Sequence, residues 1–368
     1  MPEIEALLDD SQEIISLAVG EPDFKTPWNI CEEAIYRIEK GSTYYSEAGG
    51  LKQLRAGIKN YLAHRFDTHY NLDEILVTSG ASEAIDLIMR TTLEKDDEVI
   101  VVEPSYVAYT PAIKASGGRV VSINTLEAED FKLTKDKLLK AITPKTKILL
   151  MNYPNNPTGG VMDKSDYEAL IPIIKEHQLL VVADEIYAEL TYGHQHCSIA
   201  SFSAIKDQVI LISGFSKAFS MTGWRLGYIC GPKDIIEAMT MIHRYFAICA
   251  STISQFAGIE AINNSERAVE NMRQEFLRRR NFIVNELNKM GLKTHFPKGA
   301  FYVFPSIDIT GMSDVDFAKK LAREYNLLVV PGSCYGQGGC SHIRISYAYS
   351  IEEIKKALDK LRQALNLT

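Results

Sequence analysis

The stretch VILISGFSKAFSMTGWRLGYIC, residues 209–230, decides the fold class. It opens on a run that is apolar at every position, Val209–Ile212, and closes on a second strand-like run, Leu226–Cys230. A short run without polar alternation fits a strand buried on both faces. Small and aromatic residues lie between the two runs and surround one lysine, Lys217. Working outward toward the N-terminus, similar runs recur at Ile75–Thr78, Glu98–Val102, Arg119–Ile123, Lys147–Met151 and Leu179–Ala183. Helical patterns fall between many of them, for example Ser82–Leu93 and Lys164–His177. This alternation predicts an α/β fold with a mainly parallel, seven-stranded sheet covered on both faces. Ligands of such sheets bind beyond the carboxyl ends of the strands, so polar residues at strand exits are the first candidates for chemistry.

Beyond Cys230 the pattern changes. Ile235–Tyr245, Ser254–Asn263 and the long, charged Arg267–Met290 read as helices. Short strands come next at Phe301–Phe304, Leu327–Val330 and His342–Ser346, with helices at Asp314–Tyr325 and Ile351–Leu365. The expected organisation is a large unit over 41–264 and a smaller α+β unit made of 1–40 and 265–368, joined by a long helix. The chain has 368 residues, 46% hydrophobic and 24% charged, an ordinary globular composition. A net charge of −7 does not favour a nucleic-acid partner. The N-terminus MPEIEALLDD lacks the basic-then-apolar pattern of a signal peptide, and no apolar run reaches the length of a membrane span. None of the six cysteines forms a CxxC pair. Reduced thiols in a cytoplasmic protein are therefore expected, with no bound metal.

An isolated lysine is usually a solvated surface charge. Lys217 instead comes after a buried strand and precedes another. In an apolar cleft a lysine loses basicity and can act as a neutral amine nucleophile, the chemistry needed to condense with an aldehyde cofactor. The segment Gly214–Gly227 resembles the cofactor-lysine signature of the class I/II aminotransferases, the fold type I pyridoxal-phosphate enzymes. The resemblance returns at Gly20-Glu21-Pro22-Asp23-Phe24, from Tyr45 to Leu51, at Asn156-Pro157-Thr158-Gly159, at Asp184-Glu185-Ile186-Tyr187 and at Arg344. Phrases such as Asp184–Tyr192 and Met221–Tyr228 are similar to the bacterial aromatic, aspartate and N-acetyl-diaminopimelate aminotransferases.

The resemblance implies pyridoxal 5'-phosphate as cofactor and assigns its contacts. Lys217 carries it. Asp184, at a strand end, pairs with the pyridine nitrogen and keeps the ring cationic. Asn156 and Tyr187 hydrogen-bond the phenolic oxygen. Tyr106 stacks on the ring. Gly80, Ala81 and Ser82 offer a helix start to the phosphate, although Ser82 alone reads equally as an N-cap. Ser216 and Arg225, eight residues after Lys217, complete the phosphate contacts, while Gly214 stands where some relatives have one more hydroxyl. Tyr45 resembles a tyrosine that reaches the phosphate of the neighbouring subunit, with Tyr44 the alternative. Arg344, in an alternating strand, takes the substrate's α-carboxylate through two parallel hydrogen bonds, beside Asn156 and Gly20.

The implied reaction is a ping-pong transamination between an L-amino acid and a 2-oxo acid, 2-oxoglutarate in particular. In it Lys217 serves as base and then acid. A homodimer with shared active sites is implied as well. A pyridoxal-phosphate β C–S lyase is the nearest alternative. The cofactor-sensing half of a transcription regulator is the non-enzyme one, and Gly20 lies too near the N-terminus for the DNA-binding domain it requires. No motif fixes a second cation for a distal carboxylate. Arg244 is a candidate only by its place near the junction of the two units. With nineteen residues ahead of Gly20, the arm is shorter than in many relatives, and a more open substrate entrance is expected.

Overall fold

A computed structural model describes residues 2–8 and 13–367. Its large sheet has seven strands, in spatial order Ile75–Thr78, Gly227–Cys230, Val209–Gly214, Leu180–Asp184, Thr146–Asn152, Glu98–Glu103 and Arg119–Asn124. Gly227–Cys230 runs antiparallel to both neighbours, and the other pairings are parallel. The mainly parallel seven-stranded expectation holds, with strand ends displaced by a residue or two. Buried apolar residues alternate between two cores along each strand. Val181 and Leu211 face one core with Leu54 and Ile58, while Val182, Ile210 and Ile212 face the other with Ile85 and Ile88.

A third core unites Ile15, Leu17, Phe276, Phe301, Phe317, Ile343 and Leu358. It holds a three-stranded antiparallel sheet, Val330–Pro331, Ile343–Ser346 and Tyr302–Val303, and a parallel pair of Ile15–Ser16 with Leu327–Leu328. The single run expected at Leu327–Val330 is thus two strands in different sheets. All six cysteines are unpaired. Among the described residues no helix is long and apolar enough to cross a membrane.

The helix Trp28–Glu39 was not legible. Its buried residues Ile30 and Ala34 join the sheet-side core, whereas Ile35, Tyr36 and Ile38 are exposed. Apolar residues on two faces blur the helical period. This helix packs with the large sheet's core.

Strand geometry also separates two adjacent carboxylates. Asp184 ends its strand on one face. Glu185 turns to the other, where it is 3% exposed and accepts from His196 Nε2 at 2.8 Å, Ser198 Oγ at 3.0 Å and the Ile199 amide at 3.2 Å. Removing a buried charge partner of this kind costs about 3–5 kcal/mol. Glu185→Ala should therefore lower the urea midpoint strongly. Asp86→Ala, which breaks a solvent-exposed i,i+4 pair with Arg90, should cost less than about 0.5 kcal/mol.

Candidate active site

The strand ends and the third core enclose a cavity of about 820 Å³. Asn152 and Asp184 end two neighbouring strands, Ser216 and Lys217 come just after a third, and Ala81 and Ser82 open the helix Ala81–Thr92. Gly20, Tyr302 and Arg344 enter from the opposite side.

Lys217 lies deep in this space. Its Nζ donates to the Gly20 carbonyl at 2.6 Å and sits 5.9 Å from the centre of the Phe301 ring. Burial brings the amine down to about 8, against the pull of Glu21 and with help from the positive charges of Arg344 and Arg225. Asp184, 4% exposed, is pushed up to about 6 by burial, while hydrogen bonds from Tyr109 and the Ile186 amide hold it back. Those bonds run from Tyr109 Oη to Oδ2 at 2.7 Å and from the Ile186 N–H to Oδ1 at 3.1 Å. Asn152 donates to the Asp184 carbonyl at 2.8 Å and accepts from the Asn156 amide at 2.9 Å, tying the Asn156 turn to the strand end.

Tyr187 and Tyr302 share a hydrogen bond of 2.9 Å between their hydroxyls. Burial holds the Tyr187 phenol well above its ordinary range, so it is protonated and able to donate. Arg344, 6% exposed, donates to Asn156 Oδ1 at 3.0 Å and to the Ala18 carbonyl. Its guanidinium lies 4.4 Å from the Tyr302 ring centre, and its buried Nε has no protein partner. At the far end, Gly80 takes φ +84° as the residue before the helix, and no side chain caps it. Ser82 is thus inside the first turn rather than the N-cap. A Cβ on Gly80 would stand 2.7 Å from Arg225 Nη2, so glycine lets the turn and that guanidinium close on each other.

Lys217, Asp184, Tyr187, Asn156, Tyr106 and Arg344 all line the cavity, as do Ala81, Ser82, Ser216, Arg225 and Gly20. Gly80 stands just behind the lining. Tyr45 is 77% exposed and lies outside its own chain's cavity. Arg244 is exposed and does not line it either. Glu5, on the short helix Pro2–Glu5, lines the cavity, so the N-terminal arm reaches the site. Sequence reading missed Tyr109, Asn152, Tyr302 and Tyr335. Tyr109 carried a weak signal, since it lies one helical turn beyond Tyr106. Asn152 ends an apolar run as Asp184 does.

The sequence matches the family described as Aminotransferase class I and II over residues 12–361. It is 45% identical to the putative aminotransferase YugH of Bacillus subtilis, covering 96% of this chain and 92% of that protein. Identity to aromatic-amino-acid aminotransferase 2 of Thermococcus litoralis is 41%, over 99% of this chain and 95% of the other. The solved aromatic aminotransferase of Pyrococcus horikoshii superposes with a TM-score of 0.94 at 39% identity, covering 99% of this chain and 98% of that one. Other relatives are named aspartate and N-acetyl-diaminopimelate aminotransferases, the subgroup that the sequence resembles. With a shared sequence pattern and fold over nearly its whole length, the chain belongs to the class I and II aminotransferases, enzymes that transfer amino groups.

Proposed function

We propose that the cavity binds pyridoxal 5'-phosphate on Lys217 and exchanges the amino group of an L-amino acid for the oxo group of a 2-oxo acid, by a ping-pong cycle. Membership of the family implies this cofactor in general. One observation carries its placement here: a single cavity sets a buried, weakly basic amine between a helix start beside Arg225 and the buried carboxylate of Asp184. The residues fit the group. Bare amides and a guanidinium suit a phosphate, a carboxylate suits a protonated ring nitrogen, and the unpartnered Nε of Arg344 has capacity for a carboxylate.

When bound, the cofactor supplies the aldehyde carbon and the cationic ring that accepts electrons, which no side chain provides. The protein's share is orientation and proton transfer. Asp184 stays ionised opposite a cationic ring nitrogen, with Tyr109 fixing its direction. Asn156 and Tyr187 donate to the phenolic oxygen, and Tyr106 covers the ring face. Lys217, neutral once displaced, takes the substrate's α-proton onto Nζ and hands it back to the carbon that needs it. Arg344 fixes the α-carboxylate, with Asn156 beside it and Gly20 leaving room for close approach. The acceptor is proposed as 2-oxoglutarate, on the strength of the resemblance.

The cavity also bears on the donor. Val19, Val107, Leu328 and Val330 supply apolar lining, with Tyr335 beside them and the Glu5 carboxylate among them. Among the described lining residues the cations are Lys217, Arg225 and Arg344, and each already has a role. An apolar or aromatic side chain is therefore favoured over an acidic one, since burying an unpaired carboxylate is costly.

We further propose a homodimer. Trp28, Tyr36, Ile38, Tyr44, Tyr45, Tyr245 and Phe246 are exposed large hydrophobics on neighbouring segments, a patch of the kind that marks association. Tyr45 there is free to reach a partner's phosphate. The proposed division is a cofactor unit over 41–264 together with the helix Trp28–Glu39, and a smaller unit from the remainder. The proposed compartment is the cytoplasm.

Four outcomes test the reading. Lys217→Ala should leave the far-ultraviolet circular dichroism unchanged and lower turnover at least ~1000-fold. In the unmutated apoenzyme, covalent capture of pyridoxal 5'-phosphate should accelerate as pH rises through about 8 and then level off, because the Lys217 amine is protonated below that value and neutral above it. Arg344→Lys keeps the charge but loses the fork, so KM should rise roughly tenfold or more for amino and oxo acids alike. An effect confined to one donor's side chain would remove Arg344 from the α-carboxylate. Phenylalanine should exceed aspartate in kcat/KM by roughly tenfold or more in a donor screen against one acceptor. Equal rates would overturn the apolar assignment while leaving transamination standing.

A further inference from the structure

Beneath the helix start lies a carboxylate–imidazole pair that the reaction itself does not use. Glu83 sits in the first turn of Ala81–Thr92, and His243 lies in the last turn of the helix Lys233–Phe246. His243 is 0% exposed. Its Nδ1 lies 2.7 Å from Glu83 Oε1, and Glu83 Oε2 accepts from the Ser79 amide at 2.5 Å. Burial works to raise the Glu83 carboxyl, but the bonds from His243 and Ser79 outweigh it and hold the group below its ordinary value. Glu83 is thus ionised and only accepts, so the proton of the pair belongs on Nδ1. The other ring nitrogen, Nε2, is buried without a partner.

This carboxylate stands in the helical turn that offers its amides to the phosphate. Left free, it would repel a phosphate and compete for the same N–H groups. With one oxygen on Ser79 and the other on His243, it is held instead as a strut under the residue that precedes Gly80. The turn has little slack elsewhere. A Cβ on Gly80 would meet Arg225 at 2.7 Å, and one on Gly227 would meet the Gly80 carbonyl carbon at 2.7 Å.

We propose that Glu83 and His243 are positioning residues that set the Ser79-Gly80-Ala81 turn and thereby the affinity for the cofactor's phosphate. The inference rests on the reading of this turn as the phosphate cradle. It concerns the phosphate alone, so a cofactor form without one isolates it.

The test compares equilibrium binding of pyridoxal 5'-phosphate and of unphosphorylated pyridoxal to full-length apoenzyme, together with the apoenzyme's thermal midpoint. His243→Leu should weaken the phosphorylated form about tenfold through loss of a charge-assisted hydrogen bond, and leave pyridoxal within about twofold. His243→Asn, whose side-chain N–H can stand in for Nδ1, should recover most of that loss even though both variants lower the apo midpoint. Glu83→Gln, at a partly exposed position, should give a loss of several-fold without disturbing the core. Equal weakening by the Leu and Asn variants would reduce His243 to packing and overturn the proposal. So would an equal loss for pyridoxal, or no loss at all. If the unmutated apoenzyme binds pyridoxal as tightly as its phosphate, the reading of the turn as a phosphate cradle fails first, whatever the variants do.

Discussion

A protonated amine taken out of water gives up hydration that few protein groups replace. Lys217 is held in that condition, with a single backbone carbonyl as its hydrogen-bond partner and an aromatic ring nearby. Much around it bears on that penalty. Two guanidiniums in the same cavity work against the charged form, while Glu21 and Asp184 work for it. The balance leaves an amine whose two protonation states are close in free energy near neutral pH, which suits the proton transfer proposed for it.

That environment is assembled from the large sheet's strand ends and the third core, and polar contacts tie the two sides together. Lys217 reaches Gly20, Tyr187 meets Tyr302, and Arg344 meets Asn156. Arg279 on the long helix adds an ion pair to Asp23 at 2.7 Å. The first three pairs each join a residue just past a large-sheet strand to the part of the chain on the other side of the cavity, while the Arg279 pair fixes the segment after Gly20 to the long helix. The sites proposed for the substrate's carboxylate and the cofactor's ring are thereby coupled through side chains rather than through one rigid element.

Most of the large sheet was legible because buried parallel strands leave uninterrupted apolar runs. Asp184 was legible with it, since it stands directly beyond the end of such a run, and Lys217 by the motif that follows the next run. Arg344 was legible by its motif, and Arg225 by its spacing from Lys217. Other features depended on contacts that cross the chain. Tyr109 is one more tyrosine in a helical stretch until its hydroxyl is seen on Asp184. Tyr302 acquires its place from Arg344 above its ring and Tyr187 at its hydroxyl. The helix Trp28–Glu39 was hidden because its exposed face is nearly as apolar as its buried one. The run at Leu327–Val330 reads as one strand because hydrophobicity carries no mark of where a chain changes sheets.

The antiparallel strand Gly227–Cys230 has a consequence for how this protein can vary. Gly214 pairs directly with Gly227, so the chain leaves the sheet and re-enters it at neighbouring positions. The excursion between them carries Lys217 outward and Arg225 on its return. Both of its ends are pinned by the same ladder, and its return is wedged against Gly80. Loops elsewhere on the surface absorb insertions because their ends are free to drift. Here one added or deleted residue would have to change the separation of the two cations or slip the strand register. Natural variation in length should therefore collect in other loops, leaving this segment fixed in length where its residue types change.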